Sequence, residues 1–381
     1  MSKATRQIGR GARAWAAALA VALLGLAVFA SAAQAIPATF WGVVPQATPS
    51  EEQLQLLKRG GVDSVRIPIE WGAVQPTQGG ALDFSAVDSI VARAADAGLE
   101  VLPYLSGAPT WAEPTVWVPG SNRTVKAPSH LPASGAAATA WSNFLAQAVA
   151  RYGPNGSFWA QNPTVPVRPI RTWQVWNEEN FKYFVAKPNP AEYGKLVTLS
   201  STAIKSVDPG AKVVLGGMFA LPKGCRSKAM PKQNYCAADF LELMYQTTPG
   251  IKGKFNGVAL HPYSYFYPEL TPRIEEFRSV LKKNHDAGKG LWITELGWSS
   301  QRPTHSNLFA KGVTGQAAQL KGAFTLLKRE QVAWKLQRVY WFSVDDQAGA
   351  CNFCDGSGLF GEGFVPKKSW FSYVKLAGGT P

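Results

Sequence analysis

Two carboxylate residues stand at the ends of two apolar segments that are far apart in the sequence. The stretch 171–180 alternates bulky residues and ends in Asn177 and Glu178, and the stretch 291–298 runs in the same way into Glu295. Both segments are typical of buried strands. A carboxyl group at the point where a strand leaves the core can act as an acid, a base or a nucleophile. The pair therefore predicts acid/base or nucleophilic chemistry on one shared face.

Strand and helix patterns alternate along most of the chain. We predict eight strands, near residues 39–44, 64–69, 99–105, 171–176, 212–217, 256–261, 291–294 and 337–343. A helix pattern follows each strand: the first opens at a capping box from Ser50 to Gln53, and Ser85 and Asp88 are expected to cap the second. A Pro- and Trp-rich loop of about 30 residues follows the third strand. Eight units predict one (β/α)8 TIM barrel rather than an open sheet, since no glycine-rich dinucleotide motif follows any strand.

In such a barrel the active-site groups come from the carboxyl ends of the strands. Polar residues occupy these ends at Arg66, Asn177, Glu178, His261, Tyr263 and Glu295. The fourth and seventh strands face each other across the barrel mouth, which is the arrangement that glycoside cleavage needs: one carboxylic acid protonates the departing oxygen while a second carboxylate attacks or activates water. Arg66 would keep one carboxylate ionised, and Asn177 could bind a sugar 2-hydroxyl group.

These motifs resemble those of the clan A retaining glycoside hydrolases, which include cellulase- and xylosidase-type enzymes of families 5 and 39. Trp176-Asn177-Glu178 is similar to their acid/base motif, and the stretch 293–297 is similar to their nucleophile motif. The resemblance covers essentially the whole chain from about Ile36 onwards, although Glu179 stands where family members often have proline. It implies Glu178 as acid/base, Glu295 as nucleophile, Arg66 and Tyr263 as groups that hold the nucleophile, His261 as a sugar contact and Trp341 as the platform under the cleaved sugar.

Alternative interpretations exist for several of these residues. Arg66 could pair with a structural acid such as Glu70, and His261 could be a buried core histidine. The chain has 14 Trp, and Trp111 and Trp298 directly follow the third and seventh strands, so we predict that their rings stack on sugars, with core packing as the alternative. Four His without metal-like spacing argue against a metal-dependent hydrolase, so we predict no metal and no cofactor.

The first 35 residues have the pattern of a secretory signal peptide. Four basic residues precede an apolar run from Ala14 to Ala30, and Ala33-Gln34-Ala35 fits a cleavage site. We predict a signal peptide at 1–35, a catalytic domain at 36–381, secretion, and no stable membrane insertion after cleavage. A retained anchor is the alternative, but the run is short for a membrane span.

The formal net charge is +14, and removal of the four basic leader residues leaves +10. Basic residues are scattered at helical positions, which favours solvated faces. No basic-aromatic recognition motif is present, so we predict no nucleic-acid partner. The predicted partner is an oligo- or polysaccharide substrate.

Four cysteines follow the leader, at Cys225, Cys236, Cys351 and Cys354. Three pairings are open, and the sequence-local one joins the first two and the last two. A four-cysteine zinc site is the competing interpretation, but an exported chain favours oxidation and the first pair lacks ligand-like spacing.

The sequence thus predicts a secreted retaining glycoside hydrolase that acts on a β-linked glycan through two carboxylates and a double displacement. Two alternatives use the same residues. One is a non-catalytic barrel that binds a glycan, and the other is a transglycosylase that passes the glycosyl group to another sugar.

Overall fold

A closed ring of parallel strands forms the centre of the molecule. The computed structural model describes residues 37, 39–117, 124–126, 130–226, 234–348 and 354–381. The barrel strands are β1 (Trp41–Val44), β2 (Ser64–Glu70), β3 (Glu100–Ser106), β4 (Thr172–Val175), β5 (Lys212–Phe219), β6 (Gly257–His261), β7 (Gly290–Ile293) and β8 (Leu336–Phe342). Each pairs with its neighbours in sequence, and β8 closes the ring against β1. The predicted (β/α)8 barrel is confirmed.

One long helix follows each barrel strand. These helices are α1 (Glu51–Arg59), α2 (Ser85–Asp96), α3 (Gly135–Tyr152), α4 (Pro190–Val207), α5 (Ala237–Thr247), α6 (Leu270–Lys283), α7 (Gly312–Arg329) and α8 (Lys368–Ala377). Shorter helical turns lie at Trp71–Val74 and Ser157–Gln161. Helix α1 begins at the predicted capping box, in which the Ser50 hydroxyl accepts from the Gln53 N–H and the Ser50 N–H donates to the Gln53 side chain at 2.8 Å.

The predicted cap of α2 is wrong. Asp83 accepts a hydrogen bond from the Ser85 N–H at 2.9 Å, before the helix begins. Asp88 instead accepts hydrogen bonds from Arg151 and from the Tyr152 hydroxyl group of α3, both at 2.7 Å. Asp88 therefore ties two neighbouring helices together, a tertiary role that a local cap motif does not predict.

Short hairpins extend two of the connections. Within the long loop after β3, Thr115–Trp117 pairs with Thr124–Lys126 in antiparallel fashion, where the sequence predicted only a loop. After β8, Phe360–Gly361 pairs with Val365–Pro366. Both hairpins lie in segments between barrel strands and the helices that follow, so they leave the order of the barrel unchanged.

The inner faces of the strands form one apolar cluster. Residues from six strands meet there, namely Val44, Leu102, Val214, Ala259, Trp292, Tyr340 and Phe342. All are at most 8% exposed. Burial of one large apolar side chain contributes about 1.5–3 kcal/mol, so this cluster fixes the barrel beneath the polar residues at its mouth.

The Cys225–Cys236 disulfide bond closes the loop between β5 and α5. This confirms the sequence-local pairing for the first two cysteines. Cys351 lies outside the described residues, so its pairing with Cys354 stays a prediction. Among the helices of the described segments, none has both the length and the apolar character needed to span a bilayer.

Candidate active site

The chain turns sharply where β4 ends, and this turn presents two of the predicted site residues. Trp176 and Glu178 have φ angles of 72° and 45°, in the left-handed region that non-glycine residues rarely adopt. Each such residue costs about 1–3 kcal/mol, and such conformations cluster at functional sites. Asn177 and Glu178 are 4% and 6% exposed, respectively. The turn thus points a carboxyl group and an amide into a nearly closed space.

Glu178 is held by His261, the last residue of β6. The His261 Nδ1 atom lies 2.7 Å from Glu178 Oε1, and its Nε2 atom lies 2.9 Å from the Thr294 hydroxyl. Burial, and next the negative charge of Glu295, raise the pKa of Glu178 well above its ordinary value. Burial, and next the charge of Arg66, lower the pKa of His261 well below its ordinary value. A protonated Glu178 therefore lies beside a neutral imidazole.

Glu295 follows β7 and has two donors. Arg66 Nη1 donates to its Oε1 at 2.7 Å, and the Tyr263 hydroxyl donates to its Oε2 at 2.8 Å. Burial raises the pKa of Glu295, while Arg66 and the hydrogen bond from Tyr263 act in the opposite direction. Within the described residues Glu178 has no such pair of donors, so Glu295 is the carboxyl group of the two whose ionised form is better stabilised.

The planar guanidinium of Arg66 organises the floor of the site. It is completely buried in β2, and it donates to Gln174 Oε1 at 2.8 Å, to Asn177 Oδ1 at 2.6 Å and to Glu295 Oε1. The alternative in which Arg66 pairs with Glu70 does not occur. Asn177 accepts from Arg66 through its oxygen, which leaves its NH2 group as the donor of the side chain, and Asn177 lines one of the cavities described below.

The two predicted carboxylates are close neighbours. A carboxyl oxygen of Glu178, a carboxyl oxygen of Glu295 and a ring nitrogen of His261 all lie within 4.8 Å of one another. A metal ion could use that spacing, but the residues fit a cation poorly. The guanidinium of Arg66 already lies against Glu295, and His261 uses one nitrogen for Glu178 and the other for Thr294. A divalent ion there would have to displace these contacts and face a fixed positive charge.

Glu179, the acid adjacent in sequence, turns away from this group. It is completely buried, and it packs on Gly216 of β5, where a Cβ would lie 1.9 Å from Glu179 Oε2. Burial raises the pKa of Glu179 to about 8, so the carboxyl group is mostly protonated at neutral pH. Glu178, and not Glu179, is the acid that reaches towards Glu295.

Two cavities open beside these residues. The larger, of about 480 Å³, is lined by Glu295, Phe342, Tyr104 and Glu70 together with residues of the β1–α1 loop and of α2. The smaller, of about 190 Å³, is lined by Asn177, Trp176 and Phe184 among others. One cavity thus adjoins Glu295, and the other adjoins the turn that carries Glu178.

Two of the three predicted tryptophan contacts need correction. Trp341 and Trp298 are 0% exposed, and their indole N–H groups donate to the carbonyls of Ser357 and Ser264, at 3.0 and 2.8 Å. Neither ring has a free face for a sugar, so both are packing residues in this structure. Trp111 is half-buried and donates to the Gln75 carbonyl at 2.9 Å. It lines neither of the two cavities described above, and its contact with a sugar stays a prediction.

Two aromatic residues at the site, Phe342 and Tyr104, were not predicted from the sequence. Phe342 lines the Glu295 cavity and meets the Tyr263 ring edge-on, with centroids 6.3 Å apart. Successive residues of a strand face opposite sides, so Phe342 points into the barrel and Trp341 points towards α7, where it contacts Phe324. Tyr104 of β3 was the second omission, although its inward position could have been derived from the same alternation.

Sequence comparisons with known proteins match only part of this chain. No family model matches the chain. A curated β-xylosidase of Geobacillus stearothermophilus is 28% identical over 149 residues, which are 36% of this chain and 29% of that enzyme. The matched part is therefore under a third of the relative's length.

Solved structures match over most of the chain. A family 39 glycoside hydrolase from Bacteroides cellulosilyticus superposes with a TM-score of 0.60 at 20% identity, over 89% of this chain and 63% of that one. A monomeric β-xylosidase from Caulobacter crescentus gives a TM-score of 0.59 at 17% identity, over 88% and 68%. A family 5 (subfamily 18) enzyme from Bifidobacterium longum gives 0.59 at 14% identity, over 89% and 78%.

The class that these observations define is a (β/α)8 barrel with a facing pair of buried glutamates at the carboxyl ends of β4 and β7. Its fold is that of glycoside hydrolases of families 39 and 5. The resemblance to clan A predicted from the two glutamate motifs is thus confirmed for the fold.

Proposed function

We propose that this chain is a glycoside hydrolase that cleaves a β-linked glycan with retention of anomeric configuration. The observation that carries the proposal is that one carboxyl oxygen of Glu178 lies within 4.8 Å of one carboxyl oxygen of Glu295. Retaining enzymes hold their two carboxyl groups about 5–5.5 Å apart, whereas inverting enzymes need about 6.5–9.5 Å to admit a water molecule. The close pair in this barrel favours direct attack by a carboxylate.

Glu295 is the nucleophile in this proposal. Donation from Arg66 and Tyr263 stabilises its ionised form. One of its oxygens bonds to the anomeric carbon while the bond from that carbon to the leaving oxygen breaks, and the electron pair of the broken bond stays on the leaving oxygen. The product of this step is a covalent glycosyl-enzyme and a departing sugar.

Glu178 is the general acid and then the general base. Its raised pKa keeps a proton available, and that proton passes to the leaving oxygen as the bond breaks. In the second step the Glu178 carboxylate takes a proton from water, whose oxygen displaces Glu295 from the anomeric carbon. Both carboxyl groups then return to their starting states.

Asn177 and His261 orient the reacting groups. The NH2 group of Asn177 is proposed to donate to the sugar 2-hydroxyl, a contact that strengthens in the transition state. The neutral imidazole of His261 fixes the carboxyl group of Glu178 at 2.7 Å. Because His261 is completely buried and its other nitrogen contacts Thr294, its role in this proposal is to position Glu178 rather than to contact the sugar.

The substrates of similar proteins guide the choice of compounds to test. These proteins include β-xylosidases, a glucosidase and a family 5 enzyme from Bifidobacterium longum whose structure contains Manβ1-4GlcNAc. A neutral β-linked xylose, glucose or mannose unit is therefore the first class of substrate to test. Hydrolysis and transfer to another sugar use the same first step, and product analysis distinguishes them.

The test compares the protein with its Glu295→Gln variant on 4-nitrophenyl β-D-xyloside, β-D-glucoside and β-D-mannoside and on xylan, β-glucan and mannan. Glu275→Gln, at an exposed glutamate of α6, is the matched control. Release of nitrophenol or reducing ends is expected from wild type and control, with at least a 1,000-fold loss in Glu295→Gln. Hydrolysis by Glu295→Gln at the wild-type rate would overturn the assignment. Binding of a polysaccharide without any release by wild type would favour the glycan-binding barrel.

Export is part of the proposal, since residues 1–35 have the signal-peptide pattern. Expression of the full chain in a secreting host should yield extracellular protein whose first residue is Ile36. Recovery of the chain only with membranes, starting at Met1, would instead support a retained anchor.

A further inference from the structure

The two cavities of the site share two lining residues. Tyr104 and Glu70 line both the 480 Å³ cavity beside Glu295 and the 190 Å³ cavity beside Asn177. Residue 104 lies opposite Pro68 in the pairing of β2 with β3, and residue 70 lies opposite Ser106. A glycan that occupies both cavities must pass these two side chains.

Tyr104 is fixed in place but its hydroxyl group is available. Its ring lies 4.1 Å from the guanidinium carbon of Arg66, a cation–π contact that holds the ring against the floor of the site. No hydrogen bond joins the hydroxyl group to another residue in the described part of the chain. By contrast, the Tyr263 hydroxyl is taken up by Glu295. Burial raises the pKa of Tyr104 to about 12, so the phenol remains a donor throughout the usable pH range.

Glu70 supplies the complementary acceptor. It is the last residue of β2 and is exposed, and within the described residues its carboxylate has neither a hydrogen-bond partner nor an ion-pair partner. The described lining of the two cavities contains no Lys or Arg, but it includes the carboxyl groups of Glu70, Asp83, Glu113 and Glu295. An anionic sugar would meet like charges there and find no lining cation.

We propose that Tyr104 and Glu70 form a sugar-binding subsite at the junction of the two cavities, in which the phenol donates to one hydroxyl group of a neutral sugar and the carboxylate accepts from another. The inference rests on the proposed glycosidase function and specifies its substrate class. Neutral sugars present hydroxyl groups as both donors and acceptors, so they satisfy both residues. A uronic acid unit brings a second carboxylate next to Glu70 and is disfavoured.

Two conservative variants test the subsite. Tyr104→Phe keeps the ring over Arg66 and removes only the hydroxyl group, so kcat/KM should fall about 10-fold, the value of one lost hydrogen bond. Glu70→Gln removes the charge, so the preference for 4-nitrophenyl β-D-glucoside over 4-nitrophenyl β-D-glucuronide should shrink by about 10-fold. The control is Tyr340→Phe, which removes a buried tyrosine hydroxyl bonded to Ser64, at the start of β2. It should leave both kinetic quantities within twofold of wild type.

Measurements on 4-nitrophenyl β-D-xyloside and β-xylobioside locate the contact. A loss seen only with the xylobioside also supports the subsite and assigns it to the second sugar. Wild-type rates in both variants, with an unchanged glucoside-to-glucuronide ratio, would overturn the inference while the glycosidase function stands. An inert wild-type protein would overturn the proposed function itself, so the two failures are distinct.

Discussion

Replacing Arg66 with lysine tests how the barrel keeps Glu295 ionised. The guanidinium is buried and donates in one plane to Gln174, Asn177 and Glu295. A lysine ammonium on a shorter stem cannot reach all three acceptors. A hydrogen bond to a charged group contributes about 1.5–3 kcal/mol, and about 1.4 kcal/mol corresponds to one pKa unit. Loss of the contact should therefore raise the pKa of Glu295 by about 1–2 units.

The assay is the pH dependence of kcat/KM on the aryl glycoside that wild type hydrolyses fastest. Because the nucleophile must be ionised, a higher pKa moves the acid limb of the profile about 1–2 pH units upward. The matched control is Arg338→Lys, at a mostly buried arginine of β8 that pairs with Glu100 at the start of β3. That variant should lose stability without moving the acid limb. An active Arg66→Lys enzyme with an unchanged acid limb would refute the reasoning.

Three further predictions follow from other contacts of the site. Glu178→Ala should lose at least about 100-fold more activity on 4-nitrophenyl glycosides than on 2,4-dinitrophenyl glycosides, because a good leaving group needs no acid; equal losses would show that Glu178 is not the acid. Glu179 has a pKa raised from 4.5 to about 8, so its contribution to stability is present at low pH and is lost as pH rises through about 8. The melting temperature of Glu179→Gln should therefore fall less between pH 5 and pH 9 than the melting temperature of wild type. An equal fall in the two proteins would contradict this. Treatment with EDTA should leave activity unchanged, because the Arg66 guanidinium already contacts the Glu295 carboxylate that a cation would have to bind. A loss of activity that one divalent metal restores would contradict this description of the site.

Alternation along the chain was enough to predict the barrel and the carboxyl-end residues. Each predicted strand was found within a few residues of its expected bounds, because period-2 patterns bounded by glycine and turn signals are strong local information. The same information placed Glu178 and Glu295 at strand ends, as observed, whereas Arg66 lies within β2, four residues before its last residue, Glu70. In a closed barrel the carboxyl ends of β4 and β7 lie on the same face, and this brings Glu178 and Glu295 close together.

The sequence does not determine which side chain of β8 faces the cavity. Trp341 and Phe342 are adjacent large aromatics, and a shift of one residue exchanges the inner face for the outer one. The pairing of Gly42 with Tyr340 and of Val44 with Phe342 sets which of them faces inward. That register is a tertiary property, so the choice of the tryptophan as a sugar platform was wrong.

The adjacent acids present a similar limit. The chain leaves β4 through a turn with two left-handed residues, Trp176 and Glu178, so strand alternation does not determine which acid, Glu178 or Glu179, points inward. The space for Glu179 exists because residue 216 of β5 has no side chain. This complementarity between two distant positions cannot be seen in either local sequence.

Covalent capture of the nucleophile is the most direct test of the retaining mechanism. The protein would be incubated with a 2,4-dinitrophenyl 2-deoxy-2-fluoro-β-glycoside of the sugar that it hydrolyses, and its intact mass and labelled peptide would be measured. One glycosyl group on Glu295, absent from Glu295→Gln, is the expected result. Attachment to another residue, or turnover that yields the α anomer first with no adduct, would contradict the assignment of Glu295 as the nucleophile of a retaining glycosidase.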